Sequence, residues 1–102
     1  MRTNLLPGAG TDTAWLELEV PGKEPERIEL EQLPFTLGRN ESCDYQIMSS
    51  RVSREHAEIV RQGGALVLRD LKSTNGTTVN GERIDQHKLM DGDLVVIADV
   101  RF

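Results

Sequence analysis

The chain predicts an all-β fold, a sandwich or barrel of many short strands. Apolar and polar side chains alternate over short runs, as in Leu16-Glu17-Leu18-Glu19-Val20. Turn signals (Pro21-Gly22, Gly63-Gly64, Asn80-Gly81 and Asp91-Gly92) separate these runs at short intervals. No segment of helical length repeats its apolar residues at a period of 3.6.

Taken in order, residues 1–13 hold Gly, Pro, Thr and Asn without a period and read as a flexible N-terminal arm. Residues 14–20 alternate cleanly, with Leu16, Leu18 and Val20 on one face and Trp15 on the polar one. A turn at residues 21–25 leads to residues 27–31, where Ile28 and Leu30 face inward, completing a hairpin. Residues 33–38 form a third strand with Phe35 and Leu37 inward, and Tyr45 and Ile47 share a face of a short fourth. A polar loop over 48–55 precedes strands at 57–61 and 66–71, joined through Gly63-Gly64. After a loop at 72–77, Val79 and Ile84 flank Asn80-Gly81, a pair suited to the positive φ angles of a type I′ turn. Asp91-Gly92 turns the chain into residues 94–97. Val100-Arg101-Phe102 opens a last strand that stops short of a usual length, so a domain excised from a larger protein is expected. A helix over residues 51–61 is the alternative at Val52, Ala57 and Ile59; the loop-plus-strand reading is preferred.

A chain of 102 residues suffices for one domain with one core. Hydrophobic content of 37% against 28% charged residues suits a folded, soluble chain, and the few aromatics leave the core to Leu, Val and Ile. With Cys43 as the only cysteine, no disulfide forms within the chain, which fits a reducing, cytoplasmic setting. No apolar run approaches a secretory or membrane-spanning length.

The net charge is −5, unevenly spread. Residues 1–37 carry three basic and seven acidic side chains, residues 38–84 seven and six, and residues 85–102 two and four. Nucleic acid needs a broad basic face, and few aromatics are present for stacking on bases, so that class is disfavoured. A few arginines at one rim still capture a small anion, because such contacts act within about 8 Å at physiological salt.

Four polar clusters stand between the apolar runs: Gly38-Arg39, Ser53-Arg54-Glu55-His56, Ser73-Thr74-Asn75-Gly76-Thr77 and Asn80-Gly81. They suggest loops meeting at one end of a β-scaffold to hold something anionic. Their order and spacing resemble the forkhead-associated (FHA) domain, with flanking strands extending the resemblance over residues 14–102. The resemblance implies a β-sandwich of two mainly antiparallel sheets, a bacterial signalling protein as source, and a module that binds phosphothreonine peptides. The partner would be a protein phosphorylated by a Ser/Thr kinase. No cofactor, metal, nucleic acid or membrane is expected, and a monomer is expected.

By the same resemblance, Arg39 matches the phosphate-binding arginine, and its guanidinium suits a dianion with three acceptor oxygens. Ser53 matches the serine that bonds the phosphate, and Arg54 a position that contacts phosphate or peptide backbone. Thr74 and Asn75 match the loop that holds the peptide, the amide offering donor and acceptor together. Gly38, His56, Gly76 and Asn80 would support the site.

Other readings compete. Ser53, His56 and Asp70 evoke a hydrolase triad, but no Gly-x-Ser-x-Gly elbow or oxyanion turn accompanies them. Cys43, Asp44 and His56 match no tetrahedral metal spacing. His87 reads as a surface residue. A phospho-independent docking or dimerisation module on the same fold, using a sheet face with Trp15, is the alternative function, and a stable dimer through the sheets is its sign; for the phosphopeptide reading a monomer, or at most a weak dimer, is expected.

Overall fold

The computed structural model describes residues 1–6, 13–18, 24, 26–30 and 32–98. The strands, in chain order, are β1 (Arg2–Leu6), β2 (Thr13–Leu18), β3 (Glu26–Glu29), β4 (Phe35–Gly38), β5 (Tyr45–Gln46), β6 (Ala57–Gln62), β7 (Ala65–Asp70), β8 (Thr77–Val79), β9 (Glu82–Arg83), β10 (Gln86–Lys88) and β11 (Val95–Ile97). No helix occurs among the described residues, so residues 51–61 are loop and strand.

One layer is a five-stranded sheet in the order β10-β7-β6-β4-β5, antiparallel except for the β4–β5 pair. The other combines β1-β2-β3 with β11-β8-β9. β1 makes the seam through the Arg2↔Leu94 bridge. Reciprocal bonds reinforce it: Thr3 N–H donates to Asp93 O at 2.8 Å and Gly92 N–H to Thr3 O at 2.7 Å. Val95 N–H donates to Met1 O, and the Met1 amino group to Val95 O, both at 2.7 Å. Period-2 alternation sends Leu16 from the second layer, Leu37, Ile59 and Leu68 from the first, and Val79 and Ile97 from the second into one shared core. Fully burying each such side chain contributes about 1.5–3 kcal/mol. The sandwich of two mainly antiparallel sheets is therefore the observed fold.

The expected loose arm is corrected for Met1–Leu6. These residues form a strand paired with β2, and Met1 and Thr3 are buried while Arg2 is exposed. Residues 7–12 lie outside the described residues. So do most of the expected turn at 21–25, Val20, and the short last strand at 100–102. Trp15 is half-buried beneath Arg27, whose guanidinium lies 3.8 Å from the ring centroid, and its indole N–H donates to Glu17 Oε1 at 3.2 Å. The Asn80-Gly81 turn is as expected. Val79 pairs with Glu82 across two residues at φ 53° and 86°.

Candidate functional site

β4 delivers Arg39 to the end of the five-stranded sheet. Gly38 is required there because a Cβ would collide with the Arg54 carbonyl and with Cys43 Sγ. That close approach lets β4 and the 52–56 loop zip together. His56 N–H donates to Leu37 O at 2.9 Å, Arg39 N–H to Ser53 O at 3.0 Å and Asn40 N–H to Arg54 O at 3.1 Å. Arg39 Nε–H then donates to Val52 O at 3.0 Å. This bond aims the guanidinium and leaves both terminal nitrogens without a protein partner among the described residues. Gln46 Nε2 holds the Arg39 carbonyl at 3.1 Å.

The same 51–53 segment reaches the third loop from its other side. Thr74 N–H donates to Ser53 Oγ at 3.1 Å, and Asn75 Nδ2 donates to Arg51 O at 2.6 Å. Arg39, Ser53, Thr74 and Asn75 are thus joined through one short segment, residues 51–53, although they come from three connectors. Arg54 is exposed, and with Arg39, Asn40, Glu41 and Gln46 it lines a cleft of about 340 Å³.

Two buried groups hold these loops. His56 is fully buried; its Nδ1 accepts from Ser53 N–H at 3.0 Å and its Nε2 meets Gly76 O at 2.7 Å. These partners select the Nε2–H tautomer. They also leave no ring nitrogen for the Ser53 hydroxyl, so the imagined Ser–His pair is not assembled.

Asp70 organises the 73–77 turn. Its carboxylate accepts from Ser73 N–H at 3.0 Å, Ser73 Oγ–H at 2.5 Å and Thr77 Oγ1–H at 2.7 Å. Burial pushes its pKa up, but the Ser73 and Thr77 hydrogen bonds hold it below the ordinary carboxylate value. Gly76, at φ 84°, continues the turn and donates its N–H to Ser73 Oγ at 3.0 Å. In the sequence Asp70 stands out only as a triad member. Its signal was the spacing to Ser73 and Thr77, which resembles ordinary turn chemistry.

Asn80 stands apart from these loops, at the far end of β8. Its amide donates to Asp93 Oδ1 at 2.9 Å and accepts from Leu94 N–H at 2.9 Å. Asp93 also takes Met90 N–H at 2.8 Å and His87 Nε2 at 3.1 Å. Asn80 therefore fastens the β8–β9 hairpin to the 90–94 turn and makes no bond to the loops bearing Arg39, Ser53 or Asn75. His87, read as a simple surface residue, is half-buried in this network. Burial raises the Asp93 pKa, and the Met90, Asn80 and His87 contacts bring it below the ordinary value. Burial raises the Cys43 thiol pKa, and Cys43 Sγ–H bonds the Arg54 carbonyl at 3.3 Å. Among the described residues no group of His, Cys, Asp and Glu is placed to hold a metal, and no helix is long and apolar enough to cross a membrane.

An all-β sandwich with an arginine, a serine and an asparagine gathered from separate loops defines a loop-end recognition domain. Residues 35–98 match the family described as "FHA domain", and the chain belongs to that family. FhaA of Mycobacterium tuberculosis is 41% identical over 59 residues, which is 58% of this chain and 11% of FhaA. Among solved structures, M. tuberculosis EmbR in complex with a low-affinity phosphopeptide superposes with a TM-score of 0.76. It is 34% identical, over 85% of this chain and 22% of that one. A second structure, from a structural and functional analysis of phosphothreonine-dependent FHA domain interactions, gives 0.67 at 29% identity. That match covers 94% of this chain and 84% of the other. The chain thus spans about a tenth of the length of FhaA.

Proposed function

We propose that this domain binds phosphothreonine peptides and recruits proteins phosphorylated by Ser/Thr kinases in the cytoplasm. The observation that carries the reading is the bonding of Arg39 and Asn75 to the backbone of the 51–53 segment and of Thr74 to the Ser53 hydroxyl. In this reading the Arg39 guanidinium takes the phosphate through its terminal nitrogens, and Ser53 Oγ–H and Thr74 Oγ1–H add donors. Arg54 supplies a second cation at the cleft. Asn75 Oδ1, left over after its amide is anchored, accepts a peptide N–H. A dianion with three acceptor oxygens matches that donor set, and the likeness to EmbR with its phosphopeptide supports it.

The domain acts by binding alone and uses no cofactor. His56 is committed to loop architecture through both ring nitrogens, so Ser53 has no base beside it. The net charge of −5 turns the domain away from nucleic acid and leaves a local anion site. A degenerate phosphothreonine peptide library tests the proposal. Retention of phosphorylated members over their unphosphorylated counterparts is expected, and equal retention contradicts it.

A further inference from the structure

Asn75-Gly76 is one of two Asn-Gly pairs in the chain, with Asn80-Gly81. Asparagine is a thermolabile residue, and a following glycine has no side chain to shield its amide nitrogen from the asparagine Cγ. The fold and the site require both residues of the first pair. Asn75 ties the 74–76 loop to the 51–53 segment through the Arg51 carbonyl. Gly76 has φ 84° and carries Arg83 of β9 against it; a Cβ there would lie 2.7 Å from Arg83 Nε and 2.9 Å from its Cζ.

The two pairs are held in opposite ways. The Asn80 carboxamide is fixed at both ends, Nδ2 on Asp93 Oδ1 and Oδ1 on Leu94 N–H. Asn75 is exposed, and among the described residues only its Nδ2 is tied, to Arg51 O at 2.6 Å. Its restraint lies on the neighbouring nitrogen instead. Gly76 is buried, and its N–H donates to Ser73 Oγ at 3.0 Å, while that hydroxyl donates to Asp70 Oδ1.

We propose that Asn75-Gly76 is a site of spontaneous deamidation that switches the binding site off, and that the Ser73 hydroxyl sets its rate. When the Ser73 bond opens, the Gly76 N–H gives its proton to solvent base and the nitrogen attacks Asn75 Cγ. The new N–Cγ bond closes a succinimide. The Cγ–Nδ2 bond breaks, and Nδ2 takes a proton from water and leaves as ammonia. Water then opens the ring to aspartate or isoaspartate. Either product puts a carboxylate where the Nδ2 donor met Arg51 O, and isoaspartate also lengthens the backbone by a methylene beside Gly76. The loop loses its tie to the 51–53 segment, and a negative charge stands beside the place of the phosphate. That consequence for binding rests on the phosphopeptide reading above; the conversion itself does not.

The test ages wild type and Ser73→Ala at mildly alkaline pH and reads conversion at each Asn-Gly pair by peptide mass. A synthetic peptide of residues 70–80 gives the unprotected rate. Asn75 of wild type should convert at least about tenfold more slowly than the peptide, the effect of one buried hydrogen bond that must open first. Ser73→Ala should raise the Asn75 rate by about tenfold and leave Asn80 unchanged. Converted wild type, separated by its added charge, should bind a phosphothreonine peptide at least about tenfold more weakly than the unconverted protein. Three results overturn the proposal: wild type converting as fast as the peptide, a folded Ser73→Ala whose Asn75 rate is unchanged or rises no more than that of Asn80, or converted protein that binds as unconverted protein does. If Ser73→Ala does not fold, the first and third comparisons decide on wild type alone. Unconverted wild type that binds no phosphopeptide refutes the underlying reading, and the conversion is then judged by the masses.

Discussion

The Ser53 hydroxyl oxygen accepts the Thr74 backbone N–H at 3.1 Å, across 21 residues of sequence. This bond fills one of its lone pairs and leaves its proton to donate outward. It ties two recognition loops together and orients a donor in the same atom. Ser53→Ala removes that donor and frees the Thr74 N–H. A hydrogen bond to a charged acceptor contributes about 1.5–3 kcal/mol, so phosphopeptide affinity should fall at least about tenfold. Fluorescence anisotropy with a labelled phosphopeptide measures this. Unchanged affinity would remove Ser53 from the site.

His56 stabilises the site from beneath. His56→Leu strands the Ser53 N–H, whereas Gly76 O keeps a second donor in Ala98 N–H at 2.9 Å. The cost therefore falls mainly on one buried N–H, about 1–3 kcal/mol. Urea unfolding should show a lower midpoint with the slope unchanged, and phosphopeptide binding should weaken alongside. A variant as stable as wild type contradicts the assigned role.

Asp70 and Asp93 predict the acid limb of stability. Both have folded-state pKa values below the ordinary carboxylate value of about 3.9, despite burial that opposes the shift. A depressed carboxylate stabilises the fold above its unfolded-state pKa, and that contribution is lost as pH falls through the lower folded value. Stability against pH should thus fall more steeply below about pH 4 for wild type than for Asp70→Asn, Asp93→Asn double variants. Superimposable acid limbs in urea titrations at stepped pH would rule this out.

Thr3 Oγ1 is buried with no hydrogen-bond partner among the described residues. Replacing the hydroxyl by a methyl removes an uncompensated polar group while keeping the β-branched shape that suits a strand. Thr3→Val should therefore stabilise the domain, by up to about 1 kcal/mol in denaturant unfolding. Destabilisation would mean that the hydroxyl is satisfied by a partner not seen among these residues.

The parts legible in the sequence share one property: their signal is local. Leu16, Phe35 and Leu37 followed from alternation, and Asn80-Gly81 from the φ angles a two-residue hairpin demands. The site clusters stood out because each packs several donors into a few residues between strands. What escaped depends on partners far along the chain. Met1–Leu6 has no clean apolar period, and its strand identity comes from β2 and from Leu94, distant in sequence. The Asp93 network joins Asn80, His87 and Met90, whose types mean little separately. The seat of Arg83 on Gly76 is invisible to periodicity, because it depends on a side chain that is absent.

Calorimetric titration with one peptide sequence, phosphorylated and unphosphorylated on threonine, tests the central claim most directly when run on wild type and Arg39→Ala. The account predicts binding of the phosphorylated form only, weakened by more than about tenfold in Arg39→Ala through loss of charge-assisted bonds. Equal affinity for the two forms, or Arg39→Ala binding as wild type does, would contradict it.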